Sequence, residues 1–221
     1  LMLVTSAADL EGVAQDLDAD AQVQSFLPVF VDSVTVSHGD AAESMQVYVV
    51  PDGLDLSGYV SLTDDAGNAI DLASVGTVIT KNAEQVLGFS AGQEVHVQDS
   101  SLAEADVPVT AICQNYLGNS LFMTESAYRE AFGVEPQLNG LLANLGGTDA
   151  QKIALSERLS TDSRTLSVVS TTKLVEDFSS AFTLINTVVY VVIVLAAALS
   201  FTVVFTLSNT NISERERELA T

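Results

Sequence analysis

Phe178 to Ser213, FSSAFTLINTVVYVVIVLAAALSFTVVFTLSNTNIS, holds 36 residues without Asp, Glu, Lys or Arg, and is followed at once by Glu214, Arg215, Glu216, Arg217 and Glu218. An α-helix needs roughly 20 apolar residues to cross hydrocarbon, so this run is long enough to span a bilayer. It lies at the far end of the chain and is much longer than the apolar core of a secretory signal. Everything before it therefore folds on one side of a membrane. Arg215 and Arg217 follow the run, whereas Lys173 stands beside Glu176 and Asp177 on the near side. The positive-inside bias then places the carboxyl end in the cytoplasm and the bulk of the chain outside it.

Upstream, periodicity predicts a helix from Thr171 onward. Leu174, Phe178, Phe182 and Ile185 recur at spacings of four and three, which makes its outer part an amphipathic stalk (171–187). A membrane helix (188–209) and a cytoplasmic segment (210–221) follow. Within the membrane, Ala196 and Ser200 form a small-xxx-small pair for packing against another helix, and Thr202, Thr206 and Ser208 add hydroxyls able to hydrogen-bond across helices. On a helix, Glu214 meets Arg217 and Arg215 meets Glu218 at i, i+3, a charged surface suited to a cytoplasmic partner.

The first 170 residues predict an α+β fold: a mixed α/β domain with a small β-rich subdomain inserted into it. Residues 1–52 hold a helix, introduced by Ser6 and Asp9 at capping-box spacing, and a hairpin of Val29–Val36 with Met45–Val50 entered at Pro28. Residues 53–136 break into short elements punctuated by glycine: strands at Tyr59–Leu62, Gly76–Thr80, Glu94–Val97, Val107–Cys113 and Leu121–Met123, and helices at Lys81–Leu87 and Glu125–Phe132, the latter capped by Thr124. Residues 137–170 supply a strand at Asn139–Leu145, a helix at Asp149–Leu159 and a strand at Thr165–Val169.

Composition excludes several functions. The chain has a net charge of −21, and the part up to Asp177 carries 26 acids against 6 bases. Such a surface repels nucleic acid and anionic headgroups. No phosphate loop, zinc-protease motif, paired cysteines or nucleophile elbow occurs, so an enzyme is not expected, nor a metal or other cofactor. His38 with Asp40 and His96 with Asp99 read as turn and strand-end residues, because a zinc site needs three or four convergent ligands. Asp64, Asp65, Asn68 and Asp71 fail the spacing of a calcium loop and read as a turn. Cys113 lies in an apolar, strand-like run and is expected to be a buried, inert thiol. Leu1 has no initiator methionine before it and Leu219-Ala220-Thr221 stops within a helical pattern, so the protein is expected to continue at both ends.

The stretch Leu207-Ser208-Asn209-Thr210-Asn211-Ile212-Ser213-Glu214-Arg215-Glu216-Arg217-Glu218-Leu219-Ala220-Thr221 is similar to the passage of the second transmembrane helix into the cytoplasm in FtsX-like (MacB/LolC-type) ABC transporter permeases of the mechanotransmission class. There the pattern is Asn-Ile, Ser or a near relative, Glu-Arg, a variable residue, Arg-Glu, a hydrophobic residue, Ala-Thr. Gly76-Thr77-Val78-Ile79-Thr80-Lys81-Asn82-Ala83, followed by Leu87-Gly88-Phe89 and Gly92, resembles the start of that family's extracytoplasmic subdomain, although Gln93 stands where many relatives carry Asp. Leu174-Val175-Glu176-Asp177-Phe178 is a weaker match at the stalk.

The resemblance implies a permease in the cell membrane whose partners are a separate ATP-binding cassette ATPase and the remaining helices of the same permease or of a second copy. Glu214, Arg215, Arg217 and Glu218 would then lie near the ATPase, with Leu174, Phe178 and Phe182 transmitting motion along the stalk. Peptide, lipid or lipoprotein substrates would be exported or acted on. The competing reading is a membrane-anchored sensor that signals through one helix.

Overall fold

The computed structural model describes residues 1–114 and 118–219, the side chains of 209–219 excepted. It divides into two units, Leu1–Ser170 and Thr171–Thr221.

The first unit is a sheet-rich α/β domain. Its strands are β1 (Met2–Thr5), β2 (Val23–His38), β3 (Ala41–Val50), β4 (Thr77–Thr80), β5 (Glu94–Gln98), β6 (Glu104–Pro108), β7 (Ala111–Cys113), β8 (Ser120–Thr124), β9 (Gly140–Leu145) and β10 (Thr165–Val169). Its helices are α1 (Leu10–Asp18), α2 (Leu72–Val75), α3 (Lys81–Leu87), α4 (Glu125–Phe132) and α5 (Asp149–Ser160). The strands run in the order β10-β1-β9-β2-β3-β8-β4-β7, and β5 pairs with both β2 and β6. The outermost pair on one side joins the two ends of the unit, with Met2 opposite Val169 and Thr5 opposite Thr165.

β2 shows why both faces of this sheet are covered. Successive side chains of a strand point to opposite faces. Leu27, Val29 and Val31 enter one apolar cluster together with Val50, Leu56, Leu62, Leu72 and Phe122. Val34 and Val36, with Phe30 beside them, enter another with Met45, Val47, Val49, Ile79, Leu121 and Met123, under Leu87 of α3 and Tyr128 of α4. A third cluster packs Val13 and Leu17 of α1 and Leu155 and Leu159 of α5 against Leu3 and Leu141. Gly140 lets these layers close, because a Cβ there would meet the Val31 Cγ2 at 2.9 Å and the Leu3 carbonyl oxygen at 3.3 Å.

The helices begin and end where local chemistry dictates. The Thr124 hydroxyl accepts from the Ala127 N–H at 3.2 Å and caps α4. Thr148 and Gln151 form a capping box at the start of α5. Before α1 half of the expected box is made: the Asp9 N–H donates to the Ser6 hydroxyl at 3.2 Å, and that hydroxyl donates to the Asp9 carboxylate at 2.7 Å, while Asp9, the N-cap, makes no side-chain cap bond of its own. Gly88 ends α3 in the left-handed conformation, at φ 70°.

Several expected boundaries shift. β2 begins at Val23, with Pro28 inside it opposite Leu141, two residues before the pairing with β3 starts at Phe30. Proline is tolerated where a strand has an open edge. Val107–Cys113 splits into β6 and β7 because Pro108 ends one ladder, after which Val109 N–H turns to the Gln93 carbonyl and Thr110 N–H to that of Thr77. Tyr59–Leu62 is not a strand, since the N–H groups of Tyr59 and Val60 both donate to the Leu56 carbonyl in a turn.

The second unit is one helix, α6 (Thr171–Leu219), of 49 residues and so about 74 Å long. Its Thr171–Ser208 part is long and apolar enough to cross a membrane, with a mean hydropathy of 2.8 over its most apolar 18-residue window, the one such span among the described residues. Every residue from Leu174 to Ser208 is exposed. Thr183, Thr187, Thr202 and Thr206 each donate to the carbonyl four residues back. Such back-bonds satisfy a hydroxyl within its own helix.

Candidate functional site

α6 carries all the site residues singled out in the sequence. Leu174, Phe178, Phe182 and Ile185 fall within about 80° of arc on an ideal helix, and all four are exposed. Ala196 and Ser200 stand one turn apart on the same side of the helix, and both are exposed. The backbone is helical through Glu214, Arg215, Arg217 and Glu218, while their side chains lie outside the described residues.

A second candidate, not foreseen from sequence, lies in the first unit. Residues 51–71 contain no regular helix or strand, and this segment, α2 and the start of α4 enclose a cleft of about 740 Å³. Buried Leu56, Leu62 and Leu72 tie the segment to the apolar cluster beneath it, and Val60 and Ile70 pack there half-exposed. Three carboxylates line the same cleft, those of Asp52, Asp55 and Asp71, and among the described residues no Lys or Arg does.

Each carboxylate is held in place. Asp52 accepts from the Ser126 N–H at 3.2 Å and from the Ser126 hydroxyl, and its own N–H donates to Glu125 Oε2 at 3.3 Å. Asp55 accepts from the N–H and hydroxyl of Ser57, both at 2.8 Å, and Asp71 accepts from the Ala73 N–H at 3.1 Å as the N-cap of α2. The Ser126 hydroxyl holds Asp52 below the usual carboxylate range, and the Ser57 N–H does the same for Asp55. Both therefore stay ionised near neutrality. The sequence signal that could have found this cleft is the length of the irregular stretch, since loops beyond about 12–15 residues without secondary structure are uncommon and tend to be functional.

The remaining chemistry-bearing residues are accounted for locally. His96 faces Asp106 at 2.9 Å and Glu104 at 3.7 Å across the β5–β6 hairpin, whereas Asp99 closes its own turn through the N–H groups of Ser101 and Ala103. His38 Nδ1 lies 3.4 Å from the Leu87 carbonyl, and its ring packs edge-on against Phe89. Asp64 accepts from the N–H groups of Ala66 and Asn68 in a side-chain-stabilised turn. Cys113 is buried, and burial pushes its thiol up to about 11, so it carries little thiolate at neutral pH. No group of three or more His, Cys, Asp or Glu able to hold a metal ion occurs among the described residues.

No family model matches the chain, and no curated protein matches it in sequence. Among solved structures, the extracellular domain of the noncanonic ABC-type transporter YknZ from Gram-positive bacteria aligns with a TM-score of 0.42 and 14% identity, covering 76% of this chain and 98% of its own. The periplasmic region of MacB from Actinobacillus actinomycetemcomitans aligns with a TM-score of 0.42 and 11% identity, covering 81% of this chain and 91% of its own.

Proposed function

We propose that this chain is part of the permease of an ABC transporter in the cell membrane, lies mostly outside the cytoplasm, and converts ATP hydrolysis by a partner ATPase into movement of its outer domain. The observation that carries the reading is α6. It runs unbroken from Thr171 to Leu219, contains no Gly or Pro, and joins the apolar run to the charged Glu214–Glu218 turns. Sharp helix kinks arise almost always at Pro, Gly/Ser pairs or π-bulges, so without proline and glycine a displacement at one end is passed along the helix rather than absorbed. About 74 Å of helix exceeds the ~30 Å of hydrocarbon by more than a factor of two, leaving turns on both sides for contacts.

In this reading Glu214, Arg215, Arg217 and Glu218 form the surface that meets the ATPase, and ATP hydrolysis belongs to that subunit. Leu174, Phe178 and Phe182 couple the stalk to its neighbours. Ala196 and Ser200 pack against another helix of the same permease or of a second copy, and the rest of the span faces lipid. Export of, or action on, peptide, lipid or lipoprotein substrates is the expected output.

Site-specific crosslinking tests this. Glu216→Cys, combined with Cys113→Ala, is placed in the intact protein in its own membranes. The expected result is capture of an ATP-binding cassette subunit with a yield that changes on adding ATP. Capture of no such subunit, where a known permease succeeds in parallel, overturns the permease and leaves the membrane-anchored sensor.

A further inference from the structure

We propose that the cleft between residues 51–73 and the start of α4 binds a drug-sized amphiphilic amine. Its apolar body would lie on Leu54, Val60 and Ile70, and its cationic head would be held by Asp52 and Asp55. This goes beyond the permease reading and does not rest on it, because it concerns the outer domain whatever drives or reads that domain.

Size, lining and charge select this ligand together. A volume of about 740 Å³ falls within the roughly 300–1,000 Å³ of pockets that enclose drug-sized molecules. Such pockets are mostly apolar with a few fixed polar groups, and here the apolar surface is backed by buried Leu56, Leu62 and Leu72. The charged groups lining the cleft are all of one sign, Asp52, Asp55 and Asp71, beside the neutral Ser57, Thr124 and Ser126, and Arg129 acts on Asp52 from outside the lining. An anion is repelled, a neutral amphiphile gains only the apolar contact, and an ammonium gains both. The carboxylates are oriented before any ligand arrives, by Ser126 and Ser57. Pre-orientation lowers the ordering cost of binding. The surplus of acids up to Asp177, 26 against 6 bases, draws cations toward this surface at low salt.

The chain has no tryptophan, so Leu54→Trp, at an exposed position on the cleft, places a single indole at the proposed site. The full chain carrying this change, in phosphatidylcholine vesicles, is titrated with phenylbutylamine, phenylbutanol and phenylbutanoate, which share one apolar body and differ in charge. The expected result is a saturable fluorescence change for all but the carboxylate, with the amine half-saturating at about tenfold lower concentration than the alcohol, equivalent to about 1.4 kcal/mol. Adding Asp52→Asn and Asp55→Asn removes the preference for the amine and leaves the alcohol curve in place. Screening by about 1 M salt, where the Debye length is about 3 Å, shrinks the same preference in the variant that keeps both aspartates. That salt titration decides alone if the double asparagine variant loses its thermal unfolding transition. Equal responses to the three probes, a response that never saturates, or an amine preference that persists in either control overturns the proposal.

Discussion

Leu121 in β8 and Leu195 in α6 are the same side chain in opposite surroundings: the first is 0% exposed and the second 60% exposed. In the outer domain, most strand leucines and valines hide from water in three clusters, with Leu166 and Val169 of β10 among the exposed exceptions. Along α6 from Phe178 onward there is no charged residue until Glu214, and the apolar side chains point outward all round. A helix that is apolar on every face is stable only in an apolar surrounding such as lipid. The lesson is that exposure has no fixed energetic sign, because it depends on the solvent to which a side chain is exposed.

The largest expected effect separates the two regions by cavity formation. Leu121→Ala should destabilise the outer domain by about 2–5 kcal/mol, measured by denaturant unfolding, because the surrounding residues cannot fill the void. Leu195→Ala should leave that unfolding curve unchanged. Next, Leu195→Arg should cost about 2.5–3.5 kcal/mol of membrane insertion, read as the fraction resisting alkaline extraction. Leu166→Arg, at a β10 residue 72% exposed, should shift thermal unfolding by no more than about 0.5 kcal/mol. If Leu195→Arg and Leu166→Arg are tolerated alike, both leucines face water and the comparison fails.

A smaller effect sharpens the description of the interior. Gly140→Ala adds one methyl where the Val31 side chain and the Leu3 backbone already stand close, and should cost about 1–3 kcal/mol in the same denaturant assay. The smallest is electrostatic. Asp162 accepts hydrogen bonds from the Arg164 side chain and backbone, which lower its pKa from 3.8 to about 2. The folded chain therefore releases this proton more readily than the unfolded one. The contribution is full above pH 3.8 and is lost as the pH falls through about 2. Asp162→Asn should flatten this part of the acid limb of the stability curve, followed by circular dichroism.

Elements held together by their own sequence were legible from it. α4, α5 and α6 carry a cap residue or sustained periodicity; the expected bounds of α4 and α5 fall within one residue of those observed, and α6 starts at the expected Thr171. β1 was not legible, because Met2–Thr5 is a short apolar run whose partners are Leu142 and Val169, more than a hundred residues away. The upstream half of β2 was hidden by Pro28, a residue that on its own argues for a strand's beginning. Tyr59–Leu62 has strand-forming residues, yet the Leu56 carbonyl draws it into a turn. That Leu174, Phe178, Phe182 and Ile185 share one side of a helix could be read from spacing alone. The cleft could not, because Asp52 and Ser126 come together only through the fold.

The pairing of β1 with β10 also determines how the outer domain responds to force. The chain enters beside Met2 and leaves beside Val169, at the same end of one antiparallel ladder. Tension between entry and exit therefore loads the rungs in turn, Met2–Val169 first and Thr5–Thr165 last, rather than all at once. The resistance to peeling at each step is that of a single rung, so a pull that draws Val168 off the third cluster and leaves the other two intact can part the ends of the domain.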